Sequence, residues 1–467
     1  CIRDRVYTLQ VTGEEGRTNR QSVTVAVGAT PFPNVVLFFL DDFGWADWGQ
    51  NGSADGSVFY ETPAMDRLAA EGLYFPHGYA SSPVCSPTRG AIMSGQHPAR
   101  SKLTDWITGN GDAGRPIQEA EWIKKLQLDV LTLPEALRSA GYRTIHVGKW
   151  HLGSGGTPDA DPLQQGFDVN IGGNERGHPG SYYFADGTGS FNLPNLGPGT
   201  AAPGDYLTDI LTDKANEQIA LAASEGRPFF MYFAHYAVHT PLLAPSTTVA
   251  KYTTKLGSPP PGGWRGHENA TYAAMIEHVD LSLSNLVARL EDPDGNGNPS
   301  DSIAGNTLII FTSDNGGLLS ATSNRPLRGG KGHSYEGGVR EPLVFWWPGR
   351  IAPGITREPA ISYDFYPTVL AAAELPADPD HGHLLDGQDL TPLLFGSDTY
   401  TRTKPLVFHY PHYSPQGSTP ASAMRLGDWK MLHRYETGAY ELYNLVLDTG
   451  ETTDASASET DLSATSS

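Results

Sequence analysis

The chain has 467 residues, 39% of them hydrophobic, and a formal net charge of −20. That length exceeds what a single core serves, so more than one layer or domain is expected, and no apolar run is long enough to span a bilayer. The acidic balance excludes nucleic acid as the main partner, because phosphate recognition needs a basic footprint, and suits a solvated protein in a salty medium.

The 53 glycines and 36 prolines imply many turns. Residues 1–30 read as β: Val6–Val11 alternates, Gly13 to Gly16 turns, and Ser22–Val27 alternates again. This looks like the last hairpin of an immunoglobulin-like module, with Pro31 and Pro33 marking a boundary. The opening Cys1, without Met or signal peptide, suits a mature form or a fragment; it is also a conceivable lipid site, against which a strand-like run follows at once.

From Asn34 the pattern changes. Val35–Leu40 is an unbroken apolar run, as in a central strand covered on both faces. Thr62-Pro63 opens a helix that Gly72 ends. A second helix is predicted from about Thr132 to Ala140, then a strand over Tyr142–Val147, a helix near Tyr206–Ser224, a strand over Pro228–His235, a helix over about Asn269–Glu291 and a buried strand over Thr307–Thr312. This alternation predicts an α/β domain, residues 31–392, whose large sheet is mainly parallel and sandwiched by helices. Beyond it, Ala423–Leu426, Trp429–Leu432 and Tyr440–Tyr443 predict a small antiparallel sheet within 393–448. Residues 449–467, rich in Ser, Thr, Asp and Glu, read as a mobile tail.

Chemistry concentrates at strand ends, where open α/β sheets bind ligands. Asp41-Asp42 follows one buried strand, and Asp314-Asn315-Gly316-Gly317 follows another. Their oxygens suit a hard cation, Ca²⁺ ahead of Mg²⁺. Lys149 and His151 stand two apart at a third strand end, on one face, fit to hold an anionic oxygen and move a proton. His239 lies between a strand end and Pro241, while His235 reads as structural. Glycines around Lys331 let the backbone approach a substrate. Asp292-Pro293-Asp294-Gly295 imitates a calcium loop, but Ile303 stands at its twelfth position, so a polar turn is the better reading.

Cys85 sits in Cys85-Ser86-Pro87-Thr88-Arg89, where Pro87 and Thr88 can open a helix and Arg89 adds fixed charge. C-x-P-T-R is the signature of the type I sulfatases, whose cysteine is oxidised to formylglycine. Gly141–His151 resembles that family's second signature, G-Y-x-T-x-x-x-G-K-x-H. Lys331–Pro342 resembles K-G-x-x-[YW]-E-G-G-x-R-x-P, and Val238 stands where the family usually has proline. The resemblance, spanning about Asn34 to Glu451, implies an alkaline-phosphatase-like fold. It further implies Asp41, Asp42, Asp314, Asn315 and residue 85 around Ca²⁺, and a gem-diol nucleophile made from Cys85 by a formylglycine-generating enzyme. Arg89 would orient that residue and Asp314 activate it. Lys149 and Lys331 would bind sulfate, His239 would protonate the leaving alcohol, and His151 would take the proton that releases sulfate.

The polar loop carrying Asn174, Arg176 and His178, with Arg325, Arg328 and His409, is a candidate sugar subsite. The implied substrate is a sulfated sugar or polysaccharide and the implied location secreted, periplasmic or cell-surface. The rivals are a phosphate or phosphonate ester hydrolase of the same architecture and a non-catalytic glycan-binding module.

Overall fold

A computed structural model describes residues 5–12, 18–25 and 32–457, apart from 53–58, 112, 186–190, 197–199, 377–381 and 397–399. The chain divides into two compact units, Cys1–Phe32 and Pro33–Ser467. In the first, Arg5–Thr12 and Thr18–Val25 pair antiparallel, Arg5 opposite Val25. Cys1, with its lipidation reading, lies outside the described residues.

The second unit is built on an eight-stranded mixed sheet. Five neighbouring strands are parallel, in the order Thr307–Ser313, Asn34–Leu40, Phe229–Ala234, Arg143–Gly148 and Val169–Ile171. Val344–Trp346 then runs antiparallel beside Thr307–Ser313, and Leu73–Tyr74 and Gly354–Ile355 complete that side. The unbroken apolar run of the central strand follows from this position. Val36, Phe38 and Leu40 join one core with the helices Pro63–Glu71, Leu207–Glu225 and Ala270–Glu291. Val35, Leu37 and Phe39 face the other side, against Ile92, Leu137 and Phe365 from the helices Cys85–Ser94, Leu133–Ser139 and Phe365–Ala372. Strand side chains alternate between faces, so one segment serves two cores.

Local signals set the helix ends. Thr132 and Glu135 form a reciprocal capping box at Leu133, and Asn269 caps Ala270–Glu291 by accepting from the Tyr272 N–H. Gly226, at φ 63°, stops Leu207–Glu225 in a conformation that favours glycine.

Four antiparallel strands, Leu406–Tyr410, Ala421–Leu426, Trp429–Arg434 and Tyr440–Asn444, form the C-terminal sheet. Leu406, Phe408, Ala423 and Leu432 pack on Tyr79, Val339 and Tyr363 of the larger body. The tail does not begin at residue 449. Glu451 is fully buried and paired with Lys430 at 3.0 Å, and the Asp454 carboxylate accepts from the Leu442 N–H. Residues 458–467 lie outside the described set.

Candidate active site

The parallel strands deliver their C-terminal residues to one place. The Asp314 N–H donates to the Leu40 carbonyl at 3.2 Å, the Lys149 N–H to Ala234 at 2.7 Å and the Asp41 N–H to Ala237 at 3.2 Å. Asp41, Asp42, Lys149 and Asp314 therefore converge because their strands are neighbours. Glycines permit the crowding: a Cβ on Gly316 would lie 1.9 Å from the Gly337 carbonyl oxygen. The loop carrying Asp314 and Asn315 thus rests directly on the loop carrying Lys331.

Charges interlock within this cluster. Arg89, wholly buried, grips Asp314 Oδ2 through Nε at 2.9 Å and Nη2 at 2.7 Å, and its Nη1 reaches the Tyr232 hydroxyl at 3.3 Å. Lys149 Nζ lies 2.7 Å from Asp41, and Lys331 Nζ 2.6 Å from Asp42. Asn315 donates to Asp42 Oδ1 at 2.8 Å. Burial pushes the Asp41 carboxyl well up, against the pull of Lys149. Burial also acts on Asp42, but there Lys331 and then His239 win and hold it well below the carboxylate range. Asp314 was the expected base; its Oδ2 is committed to Arg89, which holds the carboxyl low against burial and weakens it as a base.

Two oxygens have no partner. Asp41 Oδ1 and Asn315 Oδ1 are buried without a hydrogen bond. Such atoms are rare and demand an explanation. A hard cation taking oxygens from Asp41, Asp42, Asp314 and Asn315 fits them. His239 stands beside this donor set: one ligand atom each from Asp41, Asp42 and His239 lie within 4.8 Å of one another.

Cys85 begins the helix Cys85–Ser94 and is 3% exposed. Burial pushes its thiol up, with Lys149 and Lys331 pulling the other way. A thiol kept protonated is a poor nucleophile, unlike the exposed, electropositive cysteines that react as thiolates. The residue opens onto a cavity of about 360 Å³ whose walls include His151, Arg176, His178, His239 and Lys331. His151 Nε2 lies 2.5 Å from the Ile107 carbonyl, which only accepts, so that nitrogen carries the proton and Nδ1, 3.3 Å from Ser86 Oγ, carries the lone pair. His239 Nδ1 likewise donates to the Thr240 carbonyl at 2.8 Å.

The proposed sugar subsite divides. Arg176 and His178 line the cavity. Asn174 does not: its carbonyl accepts from the His151 N–H and its side chain from the Arg176 N–H, so it shapes the loop. Arg328 stacks 3.8 Å over Tyr335 and donates to the Tyr443 hydroxyl and the Glu451 carbonyl, tying the Lys331 loop to the C-terminal sheet. Arg325 is exposed and outside the cavity. His409 bonds Ser422 Oγ at 2.7 Å and lines a different groove beside Arg100 and Lys404. His235 is buried against Phe38 and Phe233, a structural residue. The Asp292 loop is a polar turn, its carboxylate accepting from the Gly295, Asn296 and Gly297 N–H groups. Trp106, Ile107, Thr108, Pro415 and Gln416 also wall the cavity. No motif marks them, because they come from loops distant in sequence.

The chain is similar to known proteins along most of its length. The sulfatase family pattern matches residues 33–375, and that of the N-sulphoglucosamine sulphohydrolase C-terminal region matches 330–464. A sulfatase of Formosa agariphila is 33% identical, covering 90% of this chain and 84% of its own. The N-acetylgalactosamine-6-sulfatase of Sus scrofa is 32% identical, covering 90% and 75%. The crystal structure of Ps i-CgsB in complex with k-i-k-neocarrahexaose superposes with a TM-score of 0.73 at 29% identity, covering 92% of this chain and 90% of that one.

Proposed function

The chain belongs to the sulfatase family, and we propose that it hydrolyses sulfate esters of a sulfated carbohydrate, using formylglycine made from Cys85 and a bound Ca²⁺. The observation that carries this reading is that Cys85, His151, His239 and Lys331 share one cavity, behind which lie the unpartnered oxygens of Asp41 and Asn315. When present, Ca²⁺ supplies positive charge to the sulfate oxygens and hydrated formylglycine supplies the attacking hydroxyl.

The remaining work falls to side chains. Asp41, Asp42, Asp314 and Asn315 would hold the cation, and Arg89 fixes Asp314 among them. Each lysine ammonium has three donors, and the carboxylates do not exhaust them. Lys149 and Lys331 can therefore also take sulfate oxygens and stabilise the charge that grows at the transition state. With Nδ1 donating to Thr240, His239 can protonate the leaving alcohol from Nε2 only as the imidazolium, a form that Asp42, 3.7 Å from Nε2, favours. The lone pair on His151 Nδ1, beside Ser86, can accept the proton whose removal frees sulfate. Arg176 and His178 are the residues we assign to the sugar.

A glycan substrate is supported by two similar proteins, one named for a sulfated hexosamine and one crystallised with an oligosaccharide. Maturation would need a formylglycine-generating enzyme, and a secreted or periplasmic location fits the substrate. The test is release of sulfate and of phosphate from a panel of sulfated sugars, sulfated polysaccharides and matched phosphate esters, with Cys85→Ala as control. Sulfate release abolished by the substitution is expected. Phosphate release alone would move the protein to the phosphoesterase branch.

A further inference from the structure

A second cluster of metal-ligating side chains lies where the segment following Leu103 meets the C-terminal sheet. Asp105 is buried, its Oδ1 accepting from the Trp106 N–H at 2.9 Å and the Tyr410 hydroxyl at 3.0 Å. Glu119 Oε1 accepts from Trp122 Nε1 at 3.0 Å. His412, 2% exposed, follows the strand Leu406–Tyr410, and its ring is held between Trp122 and Tyr410 with centroids at 5.7 and 5.5 Å. Its Nε2 pairs with Thr104 Oγ1 at 2.8 Å. Its Nδ1 is buried without a hydrogen bond and points toward Glu119 Oε1, 3.4 Å away. One ligand atom each from Asp105, Glu119 and His412 lie within 4.8 Å of one another.

We propose that Asp105, Glu119 and His412 bind a first-row transition-metal dication, with Zn²⁺ the best fit, at a site separate from the Cys85 cavity. One imidazole nitrogen with two carboxylates is a mixed donor set that suits zinc, whereas Ca²⁺ and Mg²⁺ favour oxygen alone. A ligating histidine ordinarily has its other nitrogen hydrogen-bonded, as Thr104 does here.

The site joins two elements that matter to the cavity. Asp105 directly precedes Trp106, Ile107 and Thr108, three residues of the cavity wall, and the Ile107 carbonyl receives His151 Nε2. His412 directly precedes the segment bearing Pro415 and Gln416 on the same wall. A metal here would hold both parts of the rim in register, acting as a positioning element.

The test is Zn²⁺ binding by calorimetry to the full chain under saturating Ca²⁺, in a variant combining Asp41→Asn, Cys85→Ala and His239→Ala so that the first cluster offers no imidazole. One equivalent of Zn²⁺ is expected, weakened by at least about tenfold when His412→Ala is added. Zinc-edge absorption of the loaded protein with His412 intact should show one imidazole nitrogen and otherwise oxygen at about 2.0–2.2 Å, which decides the matter even if the His412 variant misfolds. No Zn²⁺ bound, an affinity indifferent to His412→Ala, or a shell with two imidazoles would overturn the proposal. None of these readouts depends on sulfate release, so failure here leaves the proposed function standing.

Discussion

Two buried charge clusters lie in the same body and differ in access to a cavity. Around Cys85, Asp41 Oδ1 and Asn315 Oδ1 are buried without a hydrogen bond. Around Glu336 both carboxylates, Glu336 and Glu451, have a cation at 3.0 Å or less. The Glu336 carboxylate takes Lys430 at 2.9 Å, Arg340 at 2.6 Å and the Tyr79 hydroxyl at 2.8 Å. Lys430 also meets Glu451 at 3.0 Å, and Glu451 accepts the Glu336 N–H at 2.6 Å. Arg425 closes the set on the Tyr79 hydroxyl. The ingredients are the same, but one cluster is sealed and fastens the Lys331 loop to the C-terminal sheet. The other opens on a cavity. Buried charge alone therefore does not mark a catalytic centre; charge that reaches a cavity, as Lys331 and His239 do, is what separates the two.

Substitutions should separate the two clusters. The largest expected effect is Cys85→Ala, which removes the nucleophile: kcat should fall by roughly 10³-fold or more, with little change in Tm. Next is Lys430→Met, which leaves Glu336 and Glu451 buried without their shared cation. Denaturant unfolding should report a loss of about 3–5 kcal/mol. Activity per folded molecule should be far less affected, and a large direct loss of kcat would break the division between the clusters. Lys149→Ala should lower kcat by about 10²–10³-fold by removing a donor to transition-state charge. Chelation followed by Ca²⁺ titration should abolish and then restore activity, and restoration should fail in Asp41→Asn. The smallest effect is expected from Arg176→Ala, a KM raised about tenfold with kcat nearly unchanged, since only uniform binding is lost.

The sequence disclosed the parts of the site whose position follows from a strand. The run Val35–Leu40 is apolar throughout because both faces of its strand are covered, and the acids after it must then lie at the sheet's carboxyl edge. Lys149 and His151 were legible for the same reason. What stayed hidden depends on tertiary approach. Ile107 and Gln416 reach the cavity on loops with no periodicity to read. Arg328 was expected in the sugar subsite, but stacking on Tyr335 and donation to the Tyr443 hydroxyl turn it to the C-terminal sheet. Glu451 sits in a stretch whose composition reads as a tail, yet Lys430, a buried cation on another strand, fixes it. A side chain's chemistry is local information; its direction is not.

The central claim is that residue 85 attacks sulfur and that a second hydroxyl on the same carbon is needed to release sulfate. It is tested most directly by intact mass of Cys85→Ser after incubation with the best substrate from the panel. That variant offers one hydroxyl. It should take one sulfo group from the ester, free the alcohol and stop, so a single stable sulfate adduct at position 85 is predicted. Continued release of free sulfate at the rate of the mature enzyme, with no adduct, would contradict the account.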